Sequence, residues 1–99
     1  DCLQVYGAFD DQHLIGMIAT RNEGRHIALF FVEETYHRRG IGRALFLAVC
    51  EDVPDDHLTV NSSPFAVPVY QKLGFTATDV EQLKDGIRYT PMVYHRPKA

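Results

Sequence analysis

The chain has 99 residues, 45% hydrophobic and 23% charged, with a formal net charge of −3. That length accommodates one small domain, residues 1–99, and the composition suits a packed fold rather than a disordered chain. The acidic balance argues against a dedicated nucleic-acid binder, and no apolar run approaches the roughly 20 residues that cross a bilayer, so neither nucleic acid nor membrane is the expected partner. Two cysteines, Cys2 and Cys50, are too few for a disulfide framework. Cys50 lies in an apolar helical run, which fits a buried thiol in a reducing, cytoplasmic setting. No secretory signal pattern is visible in these residues. Asp1 stands where a strand lead-in is already under way, without a Met, so an N-terminal portion is expected ahead of it.

Leu3 to Phe9 is short and apolar-rich and stops at Asp10-Asp11, with Gln12 and His13 extending the polar break. Leu14 to Ala19 is apolar again, so the two runs predict a hairpin. Arg21-Asn22-Glu23-Gly24 is the next turn, because Asn and Gly tolerate positive φ. Ile27 to Val32 is a continuous apolar run of 6 residues. That is too short for a helix and predicts a central strand buried on both faces. From Gly40 to Val53 the period changes. Ile41, Ala44, Leu45, Ala48 and Val49 recur at helical steps, and Pro54 with Asp55-Asp56 closes the helix.

His57 to Asn61 reads as a short strand. Ser63-Pro64 predicts the opening of a second helix, with Ser at the N-cap and Pro at the first helical position. Phe65, Ala66, Val69, Tyr70 and Leu73 then share one helical face, Pro68 introduces a bend, and Gly74 suits the C′ position. Phe75 to Val80 and Ile87 to His95 predict a closing antiparallel pair around Lys84-Asp85-Gly86. Pro91 inside the last strand implies an edge or a bulge. The order β-β-β-α-β-α-β-β makes the fold α/β (α+β). Its sheet is mixed and mostly antiparallel, with one parallel β-α-β crossover.

Chemistry concentrates at Tyr36-His37-Arg38-Arg39-Gly40-Ile41-Gly42-Arg43, between a buried strand and an amphipathic helix. A helix start offers unpaired N–H groups and about half a positive charge. Gly40 and Gly42 carry no side chain, so a phosphate can approach the backbone, while Arg38, Arg39 and Arg43 add charge. A pyrophosphate is the natural guest, and an ordinary strand-to-helix turn is the bland alternative. The string required of a P-loop is absent, and Leu45 occupies the position where a dinucleotide motif needs a small residue.

With its flanks, Val32 to Leu45 resembles the acetyl-CoA signature of the GNAT superfamily of N-acyltransferases. In that signature a valine ends a strand, followed by Arg or Gln, two residues, Gly, one residue, and Gly or Ala. This chain departs at the Arg or Gln position, which holds His37. Val60-Asn61-Ser62-Ser63-Pro64, Ala66 and Tyr70-Gln71-Lys72-Leu73-Gly74-Phe75 resemble the family's second motif. The resemblance covers nearly the whole chain, apart from a first strand and two helices expected ahead of it. It implies a splayed parallel strand pair whose backbone at Phe31 and Val32 meets the pantetheine arm. It also implies cofactor contacts from Arg38, Arg39, Gly40, Ile41, Gly42, Arg43, Asn61 and Ser63, and makes Tyr70 the acid that protonates the leaving thiolate.

The expected function is acetyl transfer from acetyl-CoA directly to an amine, without metal or acyl-enzyme. The acceptor is an amine-bearing small molecule or a protein. Glu33 and Glu34 are candidate bases, either directly or through water. His13, His26, His37, His57 and His95 show no metal-ligand spacing. A non-catalytic acyl-CoA sensor and, behind it, a nucleotide-binding α/β module are the alternatives. Edge pairing through the last strands would give a homodimer.

Overall fold

The computed structural model describes residues 2–53 and 56–96. They fall into two units, Asp1–Pro54 and Asp55–Ala99.

The first unit is a meander with a helix on one face. Strands β1 (Gln4–Asp10), β2 (His13–Arg21) and β3 (His26–Val32) pair antiparallel in that order. Two turns join them, at residues 11–12 and 22–25, where Asp11, Asn22, Glu23 and Gly24 all take positive φ. Helix α1 (Ile41–Asp52) lies one residue inside the predicted segment at each end, with Gly40 and Val53 as its caps. The expected terminators Pro54 and Asp55 lie outside the described residues.

Helix and sheet meet closely. A Cβ at Gly16 would lie 3.3 Å from Leu45 and 3.5 Å from Ile41, and one at Gly42 would lie 3.6 Å from the Phe30 ring and 3.7 Å from Val32. The α1 face of β3 is therefore that of Phe30 and Val32. The core of this unit is Ile15, Ile18, Ile27, Leu45, Phe46, Val49 and Val53. Tyr6 fastens β1 to the end of α1 by donating its hydroxyl hydrogen to Asp52 at 2.7 Å.

One expectation fails here. β3 is not buried on both faces: Leu29 and Phe31 are 49% and 42% exposed. They alternate with Phe30 and Val32, so they lie on the face that α1 does not cover.

In the second unit, β4 (His57–Ser62) and β5 (Thr76–Ala77) each pair antiparallel with β7 (Ile87–His95). β6 (Gln82–Lys84) forms a hairpin with the start of β7, turning on Asp85 and Gly86. The predicted strand Phe75–Val80 is reduced to the 2 residues of β5. Pro91 gives the physical reason. Its carbonyl accepts from the Thr78 N–H at 2.9 Å, and both polar groups of a strand residue point the same way. The N–H that proline lacks therefore falls on the Thr78 side, in the gap between β5 and β6, where no ladder can continue.

Helix α2 (Val67–Leu73) starts later than predicted. Ser63 and Pro64 open a turn instead: the Ala66 N–H reaches both the Ser63 carbonyl, at 3.1 Å, and the Ser63 hydroxyl, at 3.3 Å. Pro68 thereby occupies the first turn of the helix, where its missing N–H costs no helical bond, so no bend is needed. Phe65 falls before the helix and is 94% exposed, not on a buried helical face. Gly74 ends α2 with φ 108°, and the Phe75 N–H returns to the Tyr70 carbonyl at 2.9 Å, as a left-handed C-cap requires.

Candidate functional site

In the first unit, the segment from Phe31 to Arg43 gathers most of the predicted binding residues into one continuous path. β3 ends at Val32, a single 3-10 turn spans Glu34–Tyr36, and α1 begins at Ile41. The turn is closed by Tyr36 N–H donating to the Glu33 carbonyl at 2.8 Å and His37 N–H to the Glu34 carbonyl at 3.1 Å.

His37, the departure from the family signature, has a definite structural part. Its Nε2 lies 2.7 Å from the Val32 carbonyl, so that nitrogen carries the hydrogen and donates it. The imidazole thus ties the start of the loop to its middle.

Beyond His37 the backbone turns left-handed twice, at Arg38 (φ 67°) and at Gly40 (φ 78°). For a residue with a Cβ, such as Arg38, this conformation is uncommon and costly. It reverses the chain so that Gly40 becomes the N-cap of α1. No side chain caps α1 there, and the first bond of the helix runs from the Ala44 N–H to the Gly40 carbonyl. The amides of Ile41 and Gly42 stand at the open end of the helix, where an α-helix supplies no acceptor of its own, an arrangement that favours an anion.

A Cβ at Gly40 would meet no atom within 4 Å, whereas one at Gly42 would point at Phe30 and Val32. The two glycines therefore differ. Gly40 leaves the mouth of the loop open and adopts positive φ. Gly42 faces β3, where a Cβ would make ordinary contact with Phe30 and Val32, so its side-chain position is turned away from the mouth of the loop.

A cluster of polar contacts surrounds this loop. The Tyr36 hydroxyl donates to Asp10 at 2.6 Å, which raises the Tyr36 pKa. The Arg39 guanidinium lies 5.1 Å from the centre of the Tyr36 ring, in cation–π range. His13 Nε2 lies 2.9 Å from the Glu33 carboxylate. Asp10 and His13 were legible only as a polar hairpin turn. They lie 26 and 20 residues from their partners, and no spacing rule signals such contacts. Glu34 sits in the 3-10 turn itself.

In the second unit, Asn61 is exposed near the end of β4, and Ser62 beside it is buried, its hydroxyl donating to the Ser63 carbonyl at 2.8 Å. Ser63 holds the turn before α2, as described. Tyr70 is only 6% exposed and meets Phe75 edge-on at 5.2 Å between ring centres. Burial pushes its phenol up to about 12, so the ring is neutral at any ordinary pH. Among the described residues no group of three or more His, Cys, Asp or Glu could hold a metal ion, and no helix is long and apolar enough to cross a membrane.

A family model described as an acetyltransferase (GNAT) domain matches residues 3–96. The chain belongs to the GNAT family. Solved GNAT structures agree with its fold. A GCN5-related N-acetyltransferase from Rhodopseudomonas palustris superposes with a TM-score of 0.81 at 21% identity, over 94% of this chain and 61% of its own. Nourseothricin acetyltransferase gives 0.76 at 21% identity, over 96% of this chain and 66% of its own. A PaiA N-acetyltransferase from Thermoplasma acidophilum, solved with coenzyme A, gives 0.71 at 19% identity, over 94% and 60%. The GNAT chain described here thus spans less than two-thirds of the length of these structures. At these identities the likeness establishes the mixed α+β acyl-CoA N-acyltransferase fold. Among curated protein sequences there is no match.

Proposed function

We propose that this GNAT chain takes acetyl-CoA as acyl donor and transfers the acetyl group directly to an amine. The observation that carries this reading is the loop into α1. It combines an open, left-handed Gly40, a helix start without a side-chain cap, and Arg38 and Arg39 beside it. In the proposal, the amides of Ile41 and Gly42 receive the pyrophosphate, and Arg38, Arg39 and Arg43 contribute positive charge. Main-chain groups of Phe31 and Val32, with Asn61 and Ser63, hold the pantetheine arm. A main-chain N–H polarises the thioester carbonyl in the manner of an oxyanion hole.

The acceptor nitrogen attacks the carbonyl carbon. A C–N bond forms, the C–S bond breaks, and the nitrogen gives up a proton to a carboxylate, Glu33 or Glu34. The sulfur leaves with a proton from Tyr70, and the tyrosine regains one through solvent. A neutral amine and a thioester thus become an amide and a thiol. With Tyr70 near 12 and a free thiol near 8.5, complete transfer is uphill by about 3.5 units, roughly 5 kcal/mol. A buried thiolate is itself harder to form, which narrows the gap.

The same burial of Tyr70 favours a second reading, a non-catalytic acyl-CoA sensor, in which that ring only packs against Phe75. Thermal shift with CoA, acetyl-CoA, NAD and ATP, followed by thiol release against a panel of amines, separates the readings. At about 100 times its dissociation constant, a true ligand adds about 2.7 kcal/mol of stability. Stabilisation by CoA with amine-dependent thiol release supports the transferase. Stabilisation without release supports the sensor. Stabilisation by NAD or ATP and not by CoA overturns both.

A further inference from the structure

Two polar contacts join the same hairpin end to the same turn. His13 Nε2 meets Glu33 at 2.9 Å, and the Tyr36 hydroxyl meets Asp10 at 2.6 Å. Asp10 and His13 are themselves opposite one another in the β1–β2 register. Glu33, His13, Asp10 and Tyr36 therefore close a ring in which each member is fixed by strand pairing or by the 3-10 turn. The Glu33 N–H, donating to the Ile15 carbonyl at 2.7 Å, extends the β2–β3 pairing by one residue. Glu33 thus continues the alternation of β3, and its carboxylate belongs to the face of Phe31, which α1 leaves open. Glu34 lies within the 3-10 turn, outside this ring.

We propose that Glu33, rather than Glu34, is the base, and that His13 is its positioning residue. This rests on the acyltransferase reading above. A carboxylate on a flexible side chain has several rotamers, and only those aimed at the incoming nitrogen accept its proton. An imidazole N–H bonded to one oxygen selects the rotamer and leaves the other oxygen for the acceptor. The proton moves from the acceptor nitrogen to Glu33 as the C–N bond forms, and leaves to solvent from the exposed pair.

The test uses the full natural protein. Wild type, Glu33→Gln, Glu34→Gln, His13→Ala and His13→Gln are compared in acceptor kcat and KM, CoA dissociation constant and melting temperature. Glu33→Gln should lose about 10²–10⁴-fold in kcat, the range of general acid–base catalysis. His13→Ala should lose roughly 10- to 100-fold in kcat, the range of a hydrogen bond to a charged group. CoA affinity should hold in both. His13→Gln places an amide N–H near the same point and should recover most of the His13→Ala loss, which a purely structural role would not predict. A larger loss in Glu34→Gln than in Glu33→Gln overturns the proposal, as does a His13→Ala effect confined to melting temperature or CoA affinity. A wild-type protein that neither binds CoA nor releases thiol overturns the acyltransferase reading, and the pair with it.

Discussion

Gly40 and Gly42 occupy the two glycine positions of one motif, yet they should answer mutation in opposite ways. At Gly42 a Cβ finds ordinary contact with Phe30 and Val32, so Gly42→Ala should fold and bind CoA nearly as wild type. Gly42→Asp would press a carboxylate into that apolar contact and should lower the melting temperature before any ligand is added. At Gly40 a side chain meets open space, and the cost is backbone strain of roughly 1–2 kcal/mol at φ 78°. Gly40→Asp should therefore fold, yet lose CoA affinity at least tenfold by placing a negative charge at the mouth of the loop. Calorimetric titration with CoA, beside thermal melts, reads both effects. Equal CoA affinity in wild type and folded Gly40→Asp would remove the loop from the phosphate site. Tyr70→Phe is the matching test of chemistry. It deletes only a hydroxyl, so CoA binding should persist while turnover falls toward the low end of the 10²–10⁴-fold range. The fall should shrink with a donor whose leaving thiol is more acidic.

At the scale of elements, what could be read in the sequence was what is local. Helix α1, the two hairpin turns and the left-handed Gly74 cap all declare themselves within a few residues, through period or turn chemistry. The segment from Phe31 to Arg43 was legible for the same reason, since its members are neighbours in the chain. The start of α2 and the gap between β5 and β6 were not. Two prolines decide them, and each depends on which partner its missing N–H would have faced. The His13–Glu33 contact was hidden because strand pairing alone brings its members together.

Strand β1 and helix α1 are joined by another such contact, and it has a pH signature. Tyr6 is raised to about 12 by desolvation and by its hydrogen bond to Asp52, from about 10 in an unfolded chain. A raised folded value means that the native state holds its proton where the unfolded chain has lost it. This contribution is therefore full below pH 10 and is lost as pH rises to about 12. Tyr70, raised to about 12 by burial, acts in the same window. Denaturant melts between pH 9 and 12 should show stability falling with pH, and Tyr6→Phe should make that fall shallower. An unchanged slope in Tyr6→Phe would show that the Asp52 bond does not persist in solution.

For the whole molecule, the governing feature is the face of the first unit that α1 does not cover. Register places Val5, Ala19 and Leu29 in one row across β1, β2 and β3, and Gly7, Met17 and Phe31 in the next. Within these rows Val5, Leu29 and Phe31 are 58%, 49% and 42% exposed around a buried Ala19, so large apolar side chains stand open on this face. Such a surface gains by leaving water at roughly 25 cal/mol for each Å² covered, and soluble proteins seldom leave one open. The 99-residue chain by itself should therefore self-associate at micromolar concentration and be poorly active. Leu29→Lys puts a charge at the β3 end of the row without touching the α1 face, so folding should survive while association weakens. Sedimentation velocity over a concentration series reads the difference directly. A wild-type chain that stays monomeric and fully active across that series would show that this face needs no cover, and the exposed row would then have no bearing on assembly.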